Sequence, residues 1–121
     1  MTVKQTKGAL NEPYGISFRA GDGTDYEFDI VSGGSWVSYK CDGTTCSKLV
    51  DYTDTDTIHG GLNSSNTLEV TAVGGQFEFS INGTPVGHAQ DSAYTSGRIG
   101  LFCSDTLECV YTNLTISKPA A

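Results

Sequence analysis

Tyr14-Gly15-Ile16-Ser17-Phe18-Arg19 leads through a Gly21-Asp22-Gly23-Thr24 turn into Tyr26-Glu27-Phe28-Asp29-Ile30, and this stretch decides the fold class. Large apolar residues take every second position: Tyr14, Ile16 and Phe18, then Tyr26, Phe28 and Ile30. A strand points successive side chains to opposite faces, so all six fall on one face that can be buried. The same period of two recurs outward in both directions. It predicts strands over about ten segments: 3–7, 14–19, 26–30, 36–41, 46–52, 68–73, 76–81, 85–89, 97–104 and 108–117. Asp42-Gly43 and Asn82-Gly83 are hairpin turns, because residues tolerant of positive φ suit tight primed turns. Gly33-Gly34 and Gly74-Gly75 turn the chain elsewhere, and residues 53–65 form a long polar connection with no pattern. No window keeps a helical apolar stripe for three turns. The expectation is an all-β, antiparallel β-sandwich or barrel in a single domain over 1–117, with 118–121 a tail or linker start.

The chain has 121 residues, room for one core only. Seven Lys+Arg against fourteen Asp+Glu give a net charge of -7. That excludes nucleic acid as the expected partner, since phosphate binding needs a clustered basic surface. It also speaks against anionic lipid, and no apolar run is long enough for membrane insertion. Residues 1–7 hold no apolar h-region of a signal peptide.

Cys41 and Cys46, and Cys103 and Cys109, form two close pairs. Each pair is expected to face across a hairpin as a disulfide, which places the chain extracellularly or on a cell surface, within a larger or processed polypeptide. A four-thiolate zinc site and free thiols are the alternatives.

Tyr14-Gly15-Ile16-Ser17-Phe18-Arg19-Ala20, Tyr26-Glu27-Phe28, Leu49-Val50-Asp51-Tyr52, Asn66-Thr67-Leu68-Glu69-Val70, Phe79-Ser80-Ile81-Asn82-Gly83 and Ser96-Gly97-Arg98-Ile99-Gly100-Leu101-Phe102 follow one another in a telling order. The series resembles the concanavalin A-like (laminin-G-like) lectin/glucanase jelly-roll superfamily, near the bacterial domains grouped with 3-keto-disaccharide hydrolases. The resemblance implies a jelly roll that lacks N-terminal strands of the full family domain. One of those strands ordinarily flanks the last strand. Its absence implies an open edge and an exposed apolar strip, unless the sandwich is smaller and closed differently or the missing strands belong to a longer parent; the third outcome is a neighbouring chain that supplies them by β-augmentation.

Laminarinases and lichenases of this superfamily carry a Glu-x-Asp-x-x-Glu strand. Glu27 and Asp29 match its first two positions, but the third falls on Ser32. Without that acid a glycosidase lacks its second carboxyl partner, so no catalytic residue is assigned. Glu27 and Asp29 read instead as a solvated strand face. Trp36, Tyr39 and Tyr52 offer rings on which a sugar can stack, and Arg19 could take a hydroxyl. By alternation Trp36 and Tyr39 lie on opposite faces, so one of them belongs to the core. Arg19 also suits a structural pairing.

Asp51, Asp54 and Asp56 form an acidic loop with oxygen ligands for calcium, the one cofactor entertained. His59 and His88 sit in no metal or nucleophile motif. Asn63, Asn82 and Asn113 open glycosylation sequons, relevant only to a eukaryotic or archaeal surface protein. The expectation is a non-catalytic extracellular module that binds carbohydrate or another extracellular protein. The alternative is an assembly domain of a sensor ectodomain, stalk or filament.

Overall fold

The computed structural model describes residues 1–117; the expected tail lies outside them. Ten strands form in chain order: β1 (Thr2–Lys7), β2 (Tyr14–Ala20), β3 (Asp25–Val31), β4 (Ser35–Cys41), β5 (Cys46–Asp54), β6 (Ser65–Val73), β7 (Gln76–Ile81), β8 (Thr84–Gln90), β9 (Arg98–Cys103) and β10 (Glu108–Thr112). They build two five-stranded antiparallel sheets, β10-β1-β6-β7-β8 and β5-β4-β3-β2-β9, packed as a sandwich. No helix occurs among the described residues.

The six alternating residues of β2 and β3 all face the second sheet and are buried. Opposite them stand Val3, Leu68, Phe77, Phe79 and Ile81. The centre is aromatic: Phe79 lies 4.8 Å from Phe28 and 5.4 Å from Trp36, ring centre to ring centre. The far sheet makes room for the indole with Gly87, where a Cβ would stand 2.6 Å from Trp36 Cζ2. The turn between β7 and β8 is set by Asn82 (φ 52°) and Gly83 (φ 81°), the two positive-φ positions of a primed hairpin.

The connection 53–65 has internal order that no local pattern announces. Buried Asn66 accepts from the His59 backbone N–H at 2.7 Å and donates to the His59 carbonyl at 3.0 Å. Asn82 Nδ2 donates to Asn66 Oδ1 at 2.9 Å and to the Thr57 carbonyl at 2.8 Å.

Both cysteine pairs are bonded, Cys41 to Cys46 and Cys103 to Cys109. The first spans the β4–β5 hairpin as expected. The second does not span a hairpin: β9 lies in one sheet and β10 in the other, so it ties the two sheets at one edge. In the chain-entropy model each short loop contributes about 2 kcal/mol.

Two expectations about the end of the chain change. The last strand stops at Thr112 rather than 117, because Asn113 adopts φ 57° and turns the backbone out of register. The last strand is also not left without a neighbour, since β1 pairs with it from Thr2–Thr112 to Lys7–Glu108. The far side of β10 is the open one.

Candidate functional site

The outer face of the β5-β4-β3-β2-β9 sheet carries Asp25, Glu27 and Asp29 in a row along β3. Cross-strand pairing places Gly15 and Val37 beside Asp29, Ser17 and Tyr39 beside Glu27, and Cys41 beside Asp25. Gly100 of β9 continues the Glu27 row past Ser17. The small residues on β2 let the row sink into the sheet: a Cβ on Gly15 would meet Asp29 Oδ1 at 2.8 Å. The row is therefore not the solvated strand face that charged residues at alternate positions suggest. Asp29 is 0% exposed and Glu27 only 9%.

At the Asp25 end the row opens into a cavity of about 350 Å³. Glu27, Asp25 and the Cys41–Cys46 bridge line it, together with the β2–β3 turn and the β4–β5 turn. Asp42 holds the second turn in shape by accepting from the backbone N–H groups of Thr44 (3.2 Å) and Thr45 (3.0 Å).

No protein donor reaches either oxygen of Asp29, nor Oδ1 of Asp25, among the described residues. Burial pushes Asp25 up to about 6, helped by the charge of Glu27. Burial first, then the Glu27 carboxyl and the charge of Asp25, push Asp29 well above the usual carboxylate range. Among the described residues no ion pair offsets them. The ion pairs join Lys7 to Glu108, Lys40 to Asp91 and Lys48 to Asp51, all off this row.

Tyr39 and Tyr52 stand on the same outer face, with hydroxyls 3.1 Å apart. Burial and that contact, with the charge of Asp29 behind them, push the Tyr52 hydroxyl up. The other two ligand candidates lie elsewhere. Trp36 is 2% exposed and belongs to the core, so its ring cannot stack on a sugar. Arg19 lies 5.2 Å over the Phe77 ring and donates to the carbonyls of Gly74 and Tyr94, a structural pin between the sheets. Ser32, at the third position of the glucanase pattern, is buried and bonded to the Tyr14 hydroxyl at 2.8 Å.

Asp51 is exposed and paired with Lys48 at 3.0 Å. It forms no cluster of ligand oxygens with Asp54 and Asp56. Among the described residues the one such group is Glu27 with Cys41 and Cys46. Those sulfurs are bonded to each other and offer no thiolate. Asn63 and Asn113 are exposed, whereas the Asn82 amide is committed to Thr57 and Asn66. His59 Nδ1 meets the Ser65 carbonyl at 3.0 Å.

No protein-family model matches the sequence, and no curated protein does. Solved structures do. The carbohydrate binding module CBM66 from Bacillus subtilis superposes with a TM-score of 0.80 at 18% identity, over 93% of this chain and 68% of that one. Sheep galectin-11, in complex with glycerol, superposes with a TM-score of 0.52 at 12% identity, over 90% of this chain and 88% of that one. At these identities the likeness shows the fold: an antiparallel jelly-roll β-sandwich.

Proposed function

We propose that this chain is a non-catalytic carbohydrate-binding module, working outside the reducing cytoplasm, and that its ligand enters the cavity above Asp25 and Glu27. The observation that carries the reading is that open cavity, lined by the carboxyl groups of Asp25 and Glu27, with Asp25 Oδ1 reached by no protein donor among the described residues. Sugar hydroxyls are the donors such acceptors lack. Tyr39, cross-strand neighbour of Glu27, and Tyr52 beside it provide ring surface on the same face. The carbohydrate-binding and galectin structures of the same fold support the reading, and the two disulfides support an oxidising compartment. A glycan array on the oxidised chain tests it. Glu27→Gln is expected to weaken a bound glycan about tenfold, the equivalent of one charge-assisted hydrogen bond. An array without a single hit sinks the proposal.

A second reading, an assembly domain using its open edge, rests on one feature. Leu101 pairs across the β2–β9 ladder with core-facing Ile16, so it points between the sheets, yet it is 55% exposed. With Ile99, Tyr111 and Leu114 it lines a second cavity of about 290 Å³ beside the free edge of β10. Under this reading sedimentation shows self-association that rises with concentration, and Leu101→Lys abolishes it. A chain that stays monomeric at all concentrations removes the reading.

A further inference from the structure

We propose that the cavity above Asp25 and Glu27 is built for a ligand with a protonated amine, namely a glycan bearing free amino groups, in preference to a neutral or acidic one. This rests on the carbohydrate-binding reading of the same site and narrows its ligand class.

The charge inventory motivates it. Three acidic side chains share one strand face, the innermost fully buried with neither oxygen reached by a protein donor among the described residues. Every cationic side chain with a partner among the described residues is used elsewhere. Lys7, Lys40 and Lys48 are in ion pairs, and Arg19 is turned onto Phe77. Arg98 reaches the rim through the Gly21 carbonyl, at 3.4 Å. Burying acids without counter-charge is costly, so a cation entering the cavity is favoured by Asp25 and Glu27, the two acids that line it.

Geometry chooses the kind of cation. Residues two apart on a strand are about 6.8 Å apart, so Asp25 and Asp29 leave the backbone at points roughly 14 Å apart. Calcium gathers six to eight oxygens at about 2.3–2.6 Å. The carboxyl oxygens of this row do not converge in that way among the described residues. An ammonium group donates hydrogen bonds to carboxylate oxygens at about 2.8 Å each. With three donors it can serve more than one carboxyl at once, and Asp25 and Glu27 line the same cavity. A uronic or sulfated sugar meets the same row with like charge, on a chain already at -7.

Calorimetric titration at pH 6.5 with glucosamine oligomers and with N-acetylglucosamine oligomers of equal length tests this. The amine form is expected to bind at least about tenfold tighter. Its advantage should shrink as salt is raised, and it should vanish in Glu27→Gln and in Asp25→Asn, whichever folds with the wild-type circular dichroism. Equal or tighter binding of the acetylated form overturns the amine preference and leaves the carbohydrate reading standing. Competition of calcium with the sugar, at matched ionic strength, assigns the row to a metal and overturns it as well. No binding by either oligomer, together with an empty glycan array, overturns both readings.

Discussion

Phe79→Ala is expected to destabilise the domain by about 3–5 kcal/mol, the larger of two substantial effects. Phe79 is fully buried on β7 and reaches across the sandwich to three rings of the opposite sheet, Phe18, Phe28 and Trp36. Truncation removes the transfer energy of the ring and leaves a cavity. The neighbours cannot collapse into it, because Trp36 is already seated against Gly87 and the Cys103–Cys109 bridge ties the sheets at one edge. Domains of this size are stable by roughly 5–15 kcal/mol, so the loss takes a large share. Urea unfolding of the oxidised protein, followed by near-ultraviolet circular dichroism, measures it. A loss under about 1 kcal/mol would mean that the sheets do not meet at this ring.

The second large effect is in pH. Asp29 and Asp25 have native pKa values raised above their ordinary ones, Asp25 to about 6. The native state therefore holds these protons more tightly than the unfolded chain does. Their contribution is fully present below the unfolded value near 4 and is lost as pH rises through the native values. Asp42, Asp51, Asp91 and Glu108 are shifted down, by hydrogen bonds and by Lys48, Lys40 and Lys7. Their contribution is lost as pH falls below about 4, and it is small because Asp42, Asp51 and Glu108 are exposed and only Asp91 is half-buried. Maximum stability is expected near pH 4, with Tm falling by at least about 4 °C towards pH 7.5. Asp29→Asn keeps the shape and removes the charge. It should raise Tm at pH 7.5 and flatten the alkaline side of the profile. Thermal melts from pH 3 to 8 on both proteins decide it. A wild-type profile flat from pH 5 to 7.5 would show that Asp29 finds a counter-charge in solution.

The site was partly visible beforehand. Glu27 and Asp29 stood out by spacing, but nothing near them in sequence indicates burial. The residues that sink them, Gly15 and Ser17 on one side and Val37 and Tyr39 on the other, come from the two flanking strands. Trp36 and Tyr39 could be assigned to opposite faces by counting, while the choice of face needed Phe28 and Phe79. Cys103 and Cys109 have nearly the spacing of Cys41 and Cys46, yet one bridge closes a hairpin and the other joins two sheets. Alternation through Leu114 and Ile116 continues the last strand on paper, and only the turn at Asn113 ends it.

The amino-acid order alone determined that ten pleated segments form, where they turn, and which side of β2 and β3 is apolar. Those properties follow from backbone geometry repeating every two residues and from a few glycine and asparagine turns. The folded molecule decided which acids are deprived of water, which aromatics remain outside, and where an edge stays open. Each of these depends on neighbours brought together from distant parts of the chain, and desolvation is a property of that neighbourhood rather than of the residue.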